Sequence, residues 1–180
     1  QLIMNILVTG GTGFVGKALV TALLSRGDSV TVLTRSIEKA QAAFPEKTPQ
    51  FLTALSALKD LNTFDAVINL AGEPIFDKKW TVQQKEKLRH SRIDLTQQIV
   101  QFINQSEHPP VLISGSATGI YGNCGDEQIT EHTNPSTQFT AQLCIDWENA
   151  AQQANARVCL VRTGLVLSPK GGAFAKILPL

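Results

Sequence analysis

The sequence is short of several things, and each shortage closes off a class of function. Its three cysteines, Cys124, Cys144 and Cys159, are an odd number without C-x-x-C spacing, so they frame neither a disulfide scaffold nor a zinc site. Cys159 falls in an apolar strand and Cys144 on a helix; both read as core thiols, which points to a reducing cytoplasm. His90, His108 and His132 are scattered along the chain and define no metal site. No apolar run approaches the roughly 20 residues that span a bilayer, and nothing resembles a signal peptide. The formal net charge is +1, which gives no electrostatic reason to expect nucleic acid or an anionic membrane as a partner. There is a single tyrosine, Tyr121, so phenolic acid–base chemistry has one candidate.

What remains is an ordinary globular composition over 180 residues, enough for one domain with a real core. Met4 reads as the natural start, with Gln1 to Ile3 as an expression remnant. Apolar strands and amphipathic helices alternate along the chain, the signature of a parallel sheet covered on both faces. Strands are expected at Met4–Thr9, Ser29–Thr34, Gln50–Ala54, Asp65–Leu70, Val111–Ser116 and Arg157–Arg162. The first helix carries Phe14, Val15, Ala18, Leu19, Ala22 and Leu23 as an apolar stripe and stops near Gly27. A second runs from an N-cap at Ser36 through Phe44, and a third from about Thr81 to Ser106. A fourth buries Phe139, Leu143, Trp147, Ala150 and Ala154, and another begins near Ala173. The polar stretch 118–137 is long for a connection, which marks it as functional.

The most informative segment is Met4-Asn-Ile-Leu-Val-Thr-Gly10-Gly-Thr-Gly13-Phe-Val-Gly16. A strand runs into three glycines at spacing three and a helix follows at once, the context that turns a weak motif into a phosphate-binding one. Gly10 turns the chain out of the strand, Gly13 lets a pyrophosphate reach the main chain, and Gly16 lets the helix pack closely. The helix N-terminus then presents unpaired N–H groups and a positive dipole end. Gly10, Thr12, Gly13, Phe14, Val15 and Gly16 are the expected phosphate-binding set. A plain glycine-rich turn is the alternative.

The chain resembles the extended short-chain dehydrogenase/reductases, and more narrowly the atypical epimerase-family proteins grouped with nucleoside-diphosphate-sugar epimerases. The glycine segment carries this likeness together with Val67-Ile-Asn-Leu-Ala-Gly-Glu-Pro-Ile75, Ser91-Arg-Ile-Asp-Leu-Thr96 and Leu112-Ile-Ser-Gly-Ser-Ala-Thr-Gly-Ile-Tyr-Gly122. Phe139-Thr-Ala-Gln-Leu-Cys-Ile-Asp-Trp-Glu148 and Leu160-Val-Arg-Thr-Gly-Leu-Val-Leu-Ser168 complete it in the right order. The resemblance implies a Rossmann-type α/β fold: a doubly wound parallel sheet with helices on both faces. It also implies a smaller C-terminal substrate region, mostly absent here, since the sequence ends where that region should begin.

At the end of the second strand an acidic residue would bind the ribose of NAD, whereas an arginine accepts the 2′-phosphate of NADP. The sequence there is Leu33-Thr34-Arg35-Ser36. Arg35, helped by Thr34, favours NADP(H) over NAD(H), the alternative being a solvated surface arginine. The resemblance places Leu70, Ala71 and Gly72 along the adenosine half of the cofactor and Arg92 facing it. Gly164 falls at the carboxyl edge of the sheet, where ligands bind in open α/β folds.

Members of the wider family use a serine with Tyr-x-x-x-Lys on one helix. Here the register puts Phe139 at the tyrosine position and Leu143 at the lysine position, and neither side chain moves a proton. Ser116 and Tyr121 remain as catalytic candidates, with Glu73 nearby. Ser116 has no His-Asp pair to make it a nucleophile, and a phenol without a neighbouring cation is a poor base, so a pocket-wall role is the alternative for Tyr121. Trp80 with Lys78 and Lys79 forms either a substrate mouth or a solvated loop. Two functions stay open. One is an NADP(H)-dependent oxidoreductase or epimerase acting on a small molecule, a sugar nucleotide by resemblance. The other is a non-catalytic NADP(H)-binding sensor. Oligomeric state is not legible.

Overall fold

The computed structural model describes residues 2–75 and 77–168. The helix expected near Ala173 lies outside them. Alternating apolar segments fold as β1 (Asn5–Thr9), α1 (Phe14–Arg26), β2 (Ser29–Leu33), α2 (Ile37–Ala43) and β3 (Gln50–Leu52). They continue as β4 (Ala66–Asn69), α3 (Val82–Gln105), β5 (Val111–Ala117), α4 (Phe139–Ala151), β6 (Val158–Thr163) and a two-residue β7 (Leu167–Ser168). Six strands form one parallel sheet in the order β3-β2-β1-β4-β5-β6. This is the doubly wound order, and it reverses between β1 and β4. A crevice therefore opens at their carboxyl ends, where the two following loops diverge.

Strand side chains alternate between the two faces. Leu7, Val67 and Leu112 point into a core with Ile99, Val100 and Ile103 of α3 and Ala151 of α4. Ile6, Val8, Val30, Val32 and Ile68 point the other way, against Val20, Leu23 and Leu24 of α1 and Phe44. Both faces are covered. Among the described residues no helix is long and apolar enough to cross a membrane.

Several expectations about burial need correction. The stripe of α1 that meets the sheet is Gly16, Val20, Leu23 and Leu24, whereas Phe14, Val15, Ala18 and Ala22 are exposed. Of the expected stripe only Leu23 is buried and Leu19 half-buried, because the helix is apolar on more than one side. Phe139 is only half-buried, because it opens α4 rather than facing the sheet, and Ala154 is buried in the turn after the helix ends. Cys144 is buried as expected, while Cys159 is half-buried on the edge strand β6.

Polar groups close the centre of the sheet. Thr9 Oγ1 donates to Asn69 Oδ1 at 2.6 Å, and Asn69 Nδ2 donates to Thr96 Oγ1 at 2.8 Å and to Ser114 Oγ at 3.3 Å. Thr96 Oγ1 donates to the Arg92 carbonyl and also accepts the Trp147 indole N–H at 3.1 Å. One amide thus joins β1, β4, β5 and α3, and α4 is tied in through Trp147. Asn69→Ala would leave several buried groups unpaired, each costing about 1–3 kcal/mol. A urea titration should show a loss of at least about 2 kcal/mol; a loss below about 0.5 kcal/mol would show that the network does not hold the sheet.

Candidate functional site

The loops after β1 and β4 meet at the point where the strand order reverses. Gly10 sits at φ +67°, a left-handed conformation that a side chain resists. A Cβ there would lie 2.6 Å from the Leu70 carbonyl carbon and 2.7 Å from the Ala71 nitrogen, so only glycine lets the two loops pass. A Cβ on Gly16 would strike the Gly10 carbonyl directly. The loop ends at α1, which starts on Gly13 with no side-chain cap and no acidic residue in its first turn. By contrast, α2 and α3 begin on hydroxyl caps from Ser36 and Thr81. The first N–H groups of α1 are thus left open to an anion. Thr12, Phe14 and Val15 are exposed around them. This cradle, open where a Cβ would fill it, fits a dinucleotide pyrophosphate.

At the end of β2, Arg35 is exposed and makes no hydrogen bond or ion pair with the described residues. Thr34 and Ser36 hold the turn by bonding each other, and Ser36 also caps α2. Beyond β4, Gly72 packs on the Arg92 guanidinium so tightly that a Cβ would sit 2.8 Å from its Cζ. Gly164 follows β6, and a Cβ there would meet only Thr118 Oγ1, at 4.0 Å.

A cleft of about 210 Å³ opens beside the crevice. Its lining includes Val15, Leu70, Arg92, Ser116, Leu143 and Thr163. Leu143 is fully buried and forms part of its wall. Phe139 instead packs against Trp80, ring centroids 5.7 Å apart, with the Lys85 ammonium 4.9 Å from its ring. The Trp80 indole donates to the Ile75 carbonyl at 2.8 Å. Glu73 turns its carboxylate to Lys78, at 3.8 Å. A hydrocarbon wall and an aromatic pair thus stand where the resemblance puts proton-transfer groups.

The structure separates the two catalytic candidates. Ser116 faces the small cleft, whereas Tyr121 faces a larger cavity of about 740 Å³ with Thr118, Glu131 and Arg162. They are linked by residues the sequence reading missed. Ser116 Oγ donates to Glu148 Oε1 at 2.6 Å, and Arg162 grips the same carboxylate with Nε and Nη2, both at 2.8 Å. Arg162 Nη1 donates to the Tyr121 hydroxyl at 2.7 Å. The expectation of a phenol without a neighbouring cation is therefore wrong, since Arg162 stands beside it. Because Ser116 gives its proton to Glu148, it offers only lone pairs to the cleft. One signal was present in the sequence: an arginine in the apolar run Leu160-Val-Arg-Thr163 needs a partner when it folds into a strand.

A scan of family models matches residues 6–179 to the NAD dependent epimerase/dehydratase family. The chain belongs to this family. This epimerase-family chain is 37% identical over 184 residues to the chloroplastic epimerase family protein SDR39U1 homolog of Arabidopsis thaliana. The match takes in 98% of this chain but 53% of that relative. The human epimerase family protein SDR39U1, crystallised with NADPH, superposes at a TM-score of 0.83 with 30% identity, over 97% of this chain and 58% of that one. A nucleoside-diphosphate sugar epimerase from Corynebacterium glutamicum gives a TM-score of 0.80 with 32% identity, over 98% of this chain and 37% of that one. The epimerase-family chain thus spans little more than half the length of the Arabidopsis relative. That relative is chloroplastic, so membership in the family does not fix a cytoplasmic compartment.

Burial pushes the Glu148 carboxyl up, but the hydrogen bonds from Arg162 and Ser116 outweigh it and hold the group below the usual carboxylate range. A carboxylate depressed in the folded state adds stability above its unfolded pKa and loses it as pH falls through the folded one. The stability advantage of the unmodified protein over Glu148→Gln should therefore be full near neutrality and shrink below about pH 4. Urea titrations across that range test it, and an advantage independent of pH would sink the ion pair.

Proposed function

We propose that this chain binds NADP(H) across the carboxyl edge of its sheet and serves as the cofactor-binding part of an oxidoreductase or epimerase. The observation that carries this is the uncapped α1 N-terminus behind Gly10, Gly13 and Gly16, together with Arg35 at the end of β2, which has no partner among the described residues. The pyrophosphate rests on the turn and on the N–H groups of Phe14 and Val15. Leu70, Ala71 and Gly72 flank the adenosine half, Arg35 and Thr34 take the 2′-phosphate, and Gly164 borders the far end. The crystallised human relative holds NADPH, which supports the phosphate preference by analogy.

Bound nicotinamide supplies hydride acceptance or donation. The residues of this chain shape the small cleft and orient what enters it. Ser116 accepts a hydrogen bond from a hydroxyl, and Leu143 excludes water. The usual tyrosine–lysine pair is absent, so a proton leaves or arrives by another route. Tyr121, with Arg162 at its hydroxyl, is the phenol able to relay one. Tyr121 is separated from the cleft, and this favours a second reading, in which NADP(H) binding itself is the output and a partner senses it.

Titration with NADPH and NADH tests the cofactor reading. Gly13→Val should fold with little loss, because a Cβ there meets only the Gly10 carbonyl, at 3.2 Å. It should nonetheless lose NADPH binding, and undiminished affinity in the folded variant would remove the phosphate site. A charged hydrogen bond is worth about 1.5–3 kcal/mol, so NADPH should bind roughly ten- to hundred-fold more tightly than NADH. Arg35→Ala should shrink that ratio while leaving NADH unchanged. Equal affinities in the unmodified protein would show that Arg35 serves only solvent.

A further inference from the structure

Two arginines are withdrawn from solvent near the cleft, and the protein treats them differently. Arg162 is neutralised by a two-pronged ion pair with Glu148. Arg92, at 8% exposure, is more buried and has no ion pair among the described residues. Its Nη1 donates to the Leu88 carbonyl at 3.2 Å and the Ser91 hydroxyl at 3.4 Å, and its Nη2 to the Glu73 carbonyl at 2.9 Å. The Trp147 ring lies 5.3 Å from its Cζ. These are neutral partners. Burial works against the charged form of Arg92, and the Glu73 carboxylate, which turns to Lys78, offsets this without an ion-pair contact.

A guanidinium remains charged inside proteins, and an uncompensated buried charge is costly. Arg92 nonetheless lines the small cleft, together with Ser116 and Thr163. The bonds to Leu88, Ser91 and Glu73 fix its plane and leave Nε–H without a partner among the described residues. This is a preorganised receptor for an anion.

We propose that Arg92 reads an anionic group on the substrate, a carboxylate or a phosphate ester, while Ser116 accepts one of its hydroxyls. This rests on the cofactor reading above, and it reassigns Arg92 from the cofactor to the substrate. The cofactor phosphates already have the α1 N-terminus and Arg35. Val15 and Leu70 of the cofactor loops line the cleft with Arg92, but most of its lining comes from β5, α4 and β6, where the sheet edge would present the reacting end. Ser116 cannot receive the anion, because its proton is committed to Glu148. The favoured substrate is thus an acidic hydroxylated compound rather than a neutral sugar.

The test uses the full chain saturated with NADPH and three probes of one size: D-glucose, D-glucuronate and glucose 6-phosphate. Calorimetry or ligand-observed NMR measures each. At least one charged sugar should bind about tenfold or more tightly than glucose. Glucuronate leading assigns a carboxylate, and glucose 6-phosphate leading assigns a phosphate ester. Arg92→Gln should erase the difference and leave NADPH affinity within about threefold, whereas Arg92→Lys should keep part of it. Equal binding of all three probes by the unmodified protein would overturn the proposal without recourse to any variant. So would an Arg92→Gln protein that loses NADPH in the same proportion, because the cation would then serve the cofactor. Failure of the unmodified protein to bind NADPH is a different result, and it counts against the cofactor reading.

Discussion

The buried carboxamide of Asn69 is the constraint on which the rest depends. It accepts a hydrogen bond from Thr9 and donates to Thr96 and Ser114, binding the ends of β1 and β4 and the middle of β5 to α3. Those strand ends are where the sheet order reverses and where the loops of the site begin. Thr9 Oγ1 also accepts from the Ala71 N–H at 3.2 Å, so the loop after β4 is pinned by the same chain of bonds. A polar network buried among apolar side chains is stable only when every member is satisfied. Here that requirement sets the relative position of the glycine turn and the Leu70–Gly72 loop. The core and the site are therefore one structure rather than a scaffold and an attachment.

Much of this was legible in the sequence, for physical reasons that differ from element to element. The helix expected from about Thr81 to Ser106 came out as Val82–Gln105, because the following Pro109-Pro110 is a local stop signal. The strands were legible because parallel strands buried on both faces read as continuous apolar runs. The glycine turn was legible because its conformation excludes other residues. The buried face of α1 was not, since Phe14, Val15 and Ala18 are as apolar as the residues that pack. Only the sheet decides which side turns inward.

The site was less legible, because its charges are paired across distance. Ser116 and Glu148 are 32 residues apart and Glu148 and Arg162 14 apart, and no local pattern announces either contact. The sequence reading weighed Tyr121 as an isolated phenol and Ser116 as a free hydroxyl. The fold joins both to one ion pair but points them at different cavities. Phe139 and Leu143, which the resemblance sets at the tyrosine and lysine positions, are four residues apart on α4; one contacts Trp80 and the other lines the cleft.

The two tryptophans occupy unlike places. Trp147 is buried, hydrogen-bonded to Thr96 and set against the Arg92 guanidinium on the cleft wall. Trp80 is 40% exposed and leans on Phe139 at the start of α4. Indole emission shifts toward the blue in a dry environment and is quenched or released by neighbouring charge. The molecule thus carries two optical reporters in unlike surroundings. One views the interior of the cleft, and the other views the surface beside it.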